Sequence, residues 1–518
     1  MMLTRLISRL HYLLMILAVA GMTISCDDDD EDPVGPLPTG DQKSFILYDN
    51  SFDPFGTVLF EELDDNTTRV TINLNDNTGP HPAHIHSGST FEQGSIVVDL
   101  TTIENGTSVT VISELNDGTG VTYADLINLD GYVAAHVSPG DLTVAATADL
   151  GPNEVTGNIA TYPLYVPNTL DQINGGIFFV ERGDGNVWVA VSAEPGVEGM
   201  MHPMHIHDNS AAETGGIAIT LNDLNGTTDF SATLIEDQDF ATLSSYNGYV
   251  NIHESADNLQ NIVAQGDIGS NALTGTFVEY TMAERNNTGV SGVAQFYERA
   301  GGHSLLMVDL TGTIEGTAHP SHIHFNSAEE GGGIAIPLTS VDGTTGMALT
   351  TIREDENGAV TFDSLTTSYD GYLNVHLSGE DLTVVSQSNI GGNVFTGSTT
   401  QYAFAAVDGS GVEGTATFNE RLNGSTWLVL EMTGTAQGNT HPSHIHSGSV
   451  ASPGGIAIDL SSVEGGSGMS MTNIDQTNAG DPITYEDLTT TYEGYINVHL
   501  SAQDLSVVSQ TNIGASAQ

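Results

Sequence analysis

The sequence predicts an all-β protein: four tandem antiparallel Greek-key sandwiches or barrels that follow a signal peptide and an acidic tether. The chain of 518 residues has 59 glycines and few lysines, a composition typical of short strands joined by tight turns. Short runs of β-forming residues alternate with Gly, Asn and Asp clusters, and no long segment has the period of a helix. A histidine-rich string recurs at intervals of 121, 117 and 122 residues, which predicts repeated domains.

The charge balance excludes nucleic acid as a partner. Lys and Arg number 9 against 66 Asp and Glu, so the formal net charge is −57. Phosphate backbones repel such a chain, and the few basic residues are too scattered to form a patch. Hydrophobic residues make up 39% of the chain, which is enough for packed cores. The single cysteine rules out an internal disulfide bond.

The first segment predicts export. Arg5 and Arg9 precede the apolar run 12–22, which is typical of a secretory signal and too short for a comfortable membrane span. The segment resembles a bacterial lipoprotein signal, with residues 1–25 removed and Cys26 lipidated as the first mature residue. We therefore expect an exported protein, lipid-anchored to the bacterial outer membrane and facing either the periplasm or the cell surface. A plain signal peptide with an incidental cysteine is the alternative.

Residues 26–42 predict a tether. An acidic run at 27–32 is followed by the proline-rich segment 33–38. Like charges repel one another and prolines stiffen the chain, so the segment is expected to be extended. It also resembles the acidic surface-export signals of some Gram-negative lipoproteins. A solvated spacer is the alternative.

The rest of the chain consists of four sequence repeats. The string His-Pro-x-His-Ile-His begins at the positions of His81, His202, His319 and His441. A second string, Gly-Tyr-x-x-x-His, ends 51 to 58 residues after each of these histidines. The period is too long for a solenoid, so the repeats predict tandem domains over residues 43–157, 158–275, 276–397 and 398–518.

The repeated histidines predict metal sites. Residues two apart in a strand point to the same face, so His84 and His86 present two imidazoles side by side. His136, on a second strand, can close the triangle, and three neutral imidazoles with an open position suit a divalent metal ion. His81 has the opposite parity and precedes a proline, so we expect a fourth ligand or a hydrogen-bond partner of a ligand. A buried histidine network that stabilises each barrel is the alternative.

The same positions recur in every unit. The predicted ligands are His84, His86, His136, His205, His207, His253, His322, His324, His376, His444, His446 and His499. The predicted fourth ligands or supporting partners are His81, His202, His319 and His441. A third recurring feature is an acidic residue beside an arginine (Glu181-Arg182, Glu298-Arg299, Glu420-Arg421), which we interpret as a strand-edge ion pair.

Each unit resembles a chordin-type (CHRD) domain, a module of bacterial secreted proteins that itself resembles copper–zinc superoxide dismutase. Residues 296–324 are similar to the dismutase stretch that leads into its copper-binding strand, and 251–259 to a segment that supplies another copper ligand. The resemblance covers nearly all of 43–518 and implies superoxide-dismutase-like or immunoglobulin-like barrels. It implies that the twelve predicted ligands bind copper, and that the four leading histidines support ligands without binding the metal.

Three features depart from the dismutase pattern. The zinc loop with its bridging histidine has no counterpart, no disulfide bond can form, and no Lys or Arg lies between the last histidine of any unit and the end of that unit. These departures weaken the expectation of catalysis. They leave the copper-binding positions intact.

We therefore predict a cell-envelope lipoprotein whose four domains each bind one metal ion. Histidine-only ligation on an exported protein favours copper, with zinc as the alternative. The second hypothesis is a copper-dependent, superoxide dismutase-like enzyme, of weak activity at best. The third is an adhesion or interaction module with structural histidines and an unidentified protein partner.

Overall fold

The computed structural model describes residues 35–49, 53–75, 79–92, 94–194 and 196–518. The predicted signal peptide, Cys26 and most of the predicted tether lie outside these residues. The chain divides between Ala272 and Leu273 into two compact units. Within the described ranges, no helix is long and apolar enough to cross a membrane.

The first unit holds two eight-stranded antiparallel sheets. The strands of the first sheet are β1 Pro38–Tyr48, β2 Pro54–Leu63, β3 Thr68–Leu74, β4 His81–Ser87, β5 Ile96–Ile103, β6 Thr107–Ile112, β7 Gly131–Ser138 and β8 Asp141–Leu150. Those of the second are β9 Val155–Tyr162, β10 Asn174–Arg182, β11 Val187–Glu194, β12 Met201–Asp208, β13 Ile217–Asn225, β14 Phe230–Ile235, β15 Asn247–Ser255 and β16 Asn258–Gly269. Among the described residues of this unit, the helical segments are Tyr123–Ile127, Gly151–Asn153 and Phe240–Ser244.

The second unit also holds two eight-stranded antiparallel sheets. The first of these comprises β17 Leu273–Glu284, β18 Ser291–Arg299, β19 Ser304–Thr311, β21 Ser321–Phe325, β22 Ile334–Pro337, β24 Met347–Ile352, β27 Asp370–His376 and β28 Val384–Gly391. Two small ribbons accompany it, formed by β20 Ala318–His319 with β23 Val341–Asp342 and by β25 Glu354–Asp355 with β26 Gly358–Ala359.

The last sheet is a closed barrel. Its strands are β29 Phe395–Ala406, β30 Glu413–Arg421, β31 Thr426–Thr433, β32 Thr440–Ser449, β33 Ser452–Glu464, β34 Met469–Ile474, β35 Glu493–His499 and β36 Val507–Gly514. The helical segments of the second unit are Phe362–Thr367, Asp487–Thr491 and Ala515–Ala517.

The strand order confirms the Greek-key prediction. Around the barrel the order is β29-β30-β31-β34-β33-β32-β35-β36. Strands β32, β33 and β34 are consecutive in the chain and are neighbours in the sheet. Strand β35 then returns to pair with the free edge of β32, which makes a Greek key. The other three sheets have the same order of neighbours, each opened at one pair of strands. The all-β, antiparallel fold class is therefore confirmed.

Each sheet encloses its own hydrophobic cluster. A phenylalanine three residues before the end of the second strand is fully buried in every cluster: Phe60, Phe179, Phe296 and Phe418. Truncation of such a side chain to alanine costs roughly 3–5 kcal/mol of stability. The strands hold their alternate side chains in these cores, and the histidine face of each sheet is therefore fixed by its apolar face.

The first strand of each later sheet begins earlier than the sequence suggests. Strands β9, β17 and β29 begin at Val155, Leu273 and Phe395, each three residues before the predicted domain start. These residues pair with the last residue of the neighbouring strand, so the Thr-Gly string that marks the predicted boundary belongs to a strand. Likewise β1 begins inside the predicted tether, since Pro38 pairs with Leu63.

Candidate metal centre

The sheet register brings the predicted triads together. Strands β4 and β7 are antiparallel neighbours in which His84 lies opposite Ala134. Residues two apart share a face of a strand, so His136 is the diagonal neighbour of His84. The potential ligand atoms of each triad lie within 4.8 Å of one another, in the groups His84–His86–His136, His205–His207–His253, His322–His324–His376 and His444–His446–His499.

One ring nitrogen of the first histidine faces one ring nitrogen of the last. Nδ1 of His84 lies 3.0 Å from Nε2 of His136. The same two atoms are 3.1 Å apart in the second triad and 3.3 Å apart in the fourth. In the third triad the rings of His322 and His376 lie 5.5 Å apart between centroids.

Backbone carbonyls orient the other two rings. Nδ1–H of His86 donates to the carbonyl of Gly94 at 3.0 Å, and Nδ1–H of His136 donates to that of Leu142 at 2.8 Å. Because a carbonyl only accepts, the proton of each neutral ring is on Nδ1 and the lone pair is on Nε2. The equivalent contacts recur in the other three repeats. The donor set of each triad is therefore one Nδ1 and two Nε2 atoms.

Several of these nitrogen atoms are buried without a hydrogen-bond partner. They are His86 Nε2, His207 Nε2, His322 Nδ1, His324 Nε2 and His446 Nε2. An unsatisfied buried polar atom costs about 1–3 kcal/mol, so its recurrence needs an explanation. A metal ion at the centre of each triad would satisfy these atoms at once.

The first histidine of each His-Pro-x-His-Ile-His string hydrogen-bonds to the backbone of the last histidine of its triad. Nδ1–H of His81 donates to the carbonyl of His136 at 2.9 Å, and the corresponding contacts measure 3.0–3.1 Å in the other repeats. Nε2 of His202 accepts the backbone N–H of Val197 at 3.3 Å. None of the leading histidines belongs to a triad. Of the two roles expected for them, the structure favours the supporting one.

Sequence reasoning missed a tyrosine that stacks on each triad. The ring of Tyr132 lies parallel to that of His86, with 4.8 Å between centroids and 17° between planes. The other three repeats have the same stack at 4.9–5.0 Å. The signal was present in the Gly-Tyr-x-x-x-His string, where the tyrosine precedes the ligand by four residues and faces the same side of the strand.

A glycine forms hydrogen bonds with both the second histidine and the stacked tyrosine. The Gly332 carbonyl accepts Nδ1–H of His324 at 3.0 Å, and its backbone N–H donates to the Tyr372 hydroxyl at 3.1 Å. A Cβ atom at Gly332 would lie 2.0 Å from the Phe325 carbonyl oxygen. Only glycine therefore fits at position 332, where the string Gly-Gly-Ile-Ala-Ile of residues 332–336 begins.

The triads favour neutral imidazoles. Burial, and then repulsion from His136 and His86, lowers the pKa of His84 below its ordinary value. The same causes lower the pKa of the equivalent His205, His322 and His444. Neutral imidazole is the form that binds a metal ion. The His84 side chain remains 17% exposed, so the site is open to solvent on one side.

Comparisons with family models, with curated proteins and with solved structures found no match for this chain. The chemistry of the triads therefore follows from their own geometry.

Proposed function

We propose that each of the four repeats binds one metal ion through its histidine triad. The observation that carries this proposal is the convergence of three ring nitrogens within 4.8 Å in every repeat, with Nδ1–H of the second and last histidines held by carbonyls. Three imidazoles and an open position match known sites for divalent transition metals.

Copper is the proposed ion and zinc the alternative. Cu(II) binds nitrogen ligands more tightly than any other divalent ion of the first row. Bound copper would add one-electron redox chemistry, whereas zinc would act only as a Lewis acid. The chain's own residues orient the rings, lower the pKa of the first histidine of each triad and bury the last one.

The proposed location is the bacterial outer membrane. The basic start, the apolar run and Cys26 directly after it support a lipid anchor. The acidic segment after Cys26 supports an extended connection between the anchor and the first repeat. An anchored chain with four sites would concentrate metal binding at the cell envelope.

Binding is favoured over turnover. The chain carries a net charge of −57, and no Lys or Arg lies between the last histidine of any repeat and the end of that repeat. Such a potential repels small anions such as superoxide. A site open to solvent also favours exchange of the metal over protected catalysis.

A histidine network without metal is the second candidate. The 3.0 Å separation between His84 Nδ1 and His136 Nε2 is also that of a hydrogen bond, in which His84 donates. This arrangement would link strands β4 and β7 of the first repeat and the equivalent strands of the second and fourth repeats. It leaves the buried Nε2 atom of His86 without a partner.

Elemental analysis separates the two candidates. The purified mature chain, loaded with Cu(II) or Zn(II) and desalted, should retain about four equivalents of one ion. Replacement of His322 and His324 by alanine should leave three, whereas His303→Asn, which removes a histidine outside the triads, should leave four. Retention of four equivalents by the double variant would refute the assignment, and no retention by the parent chain would favour the structural network.

A further inference from the structure

A buried arginine from one repeat contacts the preceding repeat. Arg421 ends β30 and its side chain is 0% exposed. Its Nη2 lies 3.3 Å from a carboxylate oxygen of Glu329, and its Nη1 lies 3.3 Å from one of Glu330. Within its own barrel, Nη1 donates to Asn473 at 3.1 Å and the guanidinium lies 4.9 Å from the centre of the Trp427 ring.

These contacts hold the acidic pair in place. A buried charge is strongly destabilising unless it is paired and hydrogen-bonded. The two carboxylates, the amide and the aromatic ring supply that compensation for Arg421. The positions of Glu329 and Glu330 are therefore tied to the core of the following barrel.

The acidic pair lies on the loop that orients a metal-site histidine. The loop joins β21 to β22, and Glu330 closes it by accepting from the Ser327 hydroxyl at 2.6 Å. Two residues later the Gly332 carbonyl accepts Nδ1–H of His324. A short path of bonded atoms therefore connects the Arg421 guanidinium to the ring of a proposed ligand in the preceding repeat.

The first unit has a related contact, in which the arginine pairs with Asp184 of its own repeat and reaches the preceding repeat through an asparagine. Arg182 ends β10, is buried, and donates to the Asn153 side chain, whose amide donates to the Gly88 carbonyl. Gly88 and Gly94 bracket the loop that orients His86.

Charge and packing tie Arg182 to the same loop. Hydrogen bonds from Ser89 and the charge of Arg182 lower the pKa of Glu92. On the same loop, the Phe91 ring lies 4.1 Å from that of Trp188. The following repeat thus contacts the histidine loop in both units.

The sequence pattern matches this arrangement. The strand that ends at Arg182 in the second repeat and at Arg421 in the fourth ends at Leu63 in the first. Acidic residues occur in the histidine loops of the first and third repeats, as Glu92 and as Glu329 with Glu330.

The interpretation of the Glu-Arg strings as edge ion pairs is wrong for these residues. Glu420 accepts from the Thr396 hydroxyl at 2.7 Å, while Arg421 points into the barrel junction. Consecutive residues of a strand point to opposite faces, which separates the two charges.

We propose that Arg421 and Arg182 are positioning residues for the metal site of the preceding repeat. The inference rests on the proposed function. Each arginine fixes the loop whose glycine carbonyl keeps the proton on Nδ1 of the second histidine, so that Nε2 stays available to the metal. Metal affinity in the first and third repeats therefore depends on the folded state of the second and fourth repeats, respectively.

Single-site chains test the proposal. In the full mature chain, alanine replaces the first two ligands of every triad but one, which leaves only the first, third or fourth site. Arg421→Gln should weaken Cu(II) binding at the third site by about 10–100-fold and leave the first site unchanged. Arg182→Gln should do the reverse. Equal affinity of the third site with and without Arg421, or an equal loss at both sites, would overturn the proposal.

Two further measurements separate positioning from misfolding. Unchanged affinity at the fourth site shows that the barrel carrying Arg421→Gln is folded. If that barrel does not fold, the double variant Glu329→Gln with Glu330→Gln removes the same ion pairs from the preceding repeat, and it should also weaken the third site. In the metal-free chain, ¹⁵N NMR should show that His324 loses its fixed Nδ1–H tautomer in the arginine variant. A parent third site that binds no metal refutes the proposed function, whereas an unchanged tautomer refutes only the positioning role.

Discussion

Nδ1 of His84 lies 3.0 Å from Nε2 of His136, and Nε2 of His84 lies 3.7 Å from a carboxylate oxygen of Asp99. Without metal, the His84 proton on Nδ1 would donate to His136. With metal, both facing nitrogens need lone pairs, so the His84 proton must be on Nε2, beside Asp99. Metal binding is therefore expected to exchange the tautomer of this one ring.

Acid should destabilise the metal-free protein. Burial lowers the pKa of His84, His205, His322 and His444 in the folded state, so the unfolded chain takes up protons first as the pH falls below about 6.5. Stability should fall from that pH down to the lowered pKa values and then level off. Urea unfolding at several pH values between 8 and 5 measures this.

A matched variant isolates the histidine contribution. Burial raises the pKa of Asp149 to about 6, which has the opposite effect, because the folded state then binds the extra proton. Replacement of His84, His205, His322 and His444 by asparagine removes the groups with lowered pKa values. The fall in stability between pH 8 and 5 should then be smaller than in the parent chain. An equally steep decline in the variant would show that other groups cause it.

Loss of the stacked tyrosine should weaken one site. Tyr372 stacks on His324 at 5.0 Å and accepts the N–H of Gly332, so Tyr372→Leu removes both restraints on that ring. We expect about 1–3 kcal/mol lower stability and weaker metal binding in the third repeat alone. Titration of a chain that keeps only the third site provides the measurement. Tyr372→Phe keeps the stack and should lose less, and identical affinities for all three chains would contradict the prediction.

The copper-loaded chain should be a poor superoxide dismutase. Its net charge of −57 lowers the encounter rate of an anion, and no arginine lies between the last histidine of any repeat and the end of that repeat to attract one. Superoxide decay at low salt, compared with an equal concentration of free copper, measures the rate. A rate constant near the diffusion limit of ~10⁸–10⁹ M⁻¹s⁻¹ would instead establish an enzyme.

Membrane attachment should depend on Cys26. Lipidation at this residue would anchor the chain stably, since two or more acyl chains give firm attachment. Cys26→Ser should move the protein from the membrane to the soluble fraction and stop signal processing. The parent chain and the double variant of His322 and His324 should both stay with the membrane. Normal processing and membrane fractionation of Cys26→Ser would disprove the lipoprotein hypothesis.

The sequence predicted those parts of the molecule that depend on strand periodicity. Alternation along β4 places His84 and His86 on one face, and recurrence of the string shows that the pattern is repeated. The supporting role of His81 could not be chosen over ligation, because a register shift between His81 and Ala83 turns its ring towards the end of β7.

The contacts made by loops could not be predicted from the sequence pattern. The carbonyls of Gly94 and Leu142 set the histidine tautomers, yet a carbonyl leaves no signature in the residue type. The buried position of Arg421 was missed for a related reason. Its partners lie 91 and 92 residues away, in another repeat, and no local pattern connects them.

The connections between sheets within each unit are very short. Strand β8 ends at Leu150 and β9 begins at Val155, while β28 ends at Gly391 and β29 begins at Phe395. A protease must draw an extended stretch of chain into its cleft, and these junctions offer almost none. The described part of each unit should therefore resist proteolytic cleavage between its two barrels.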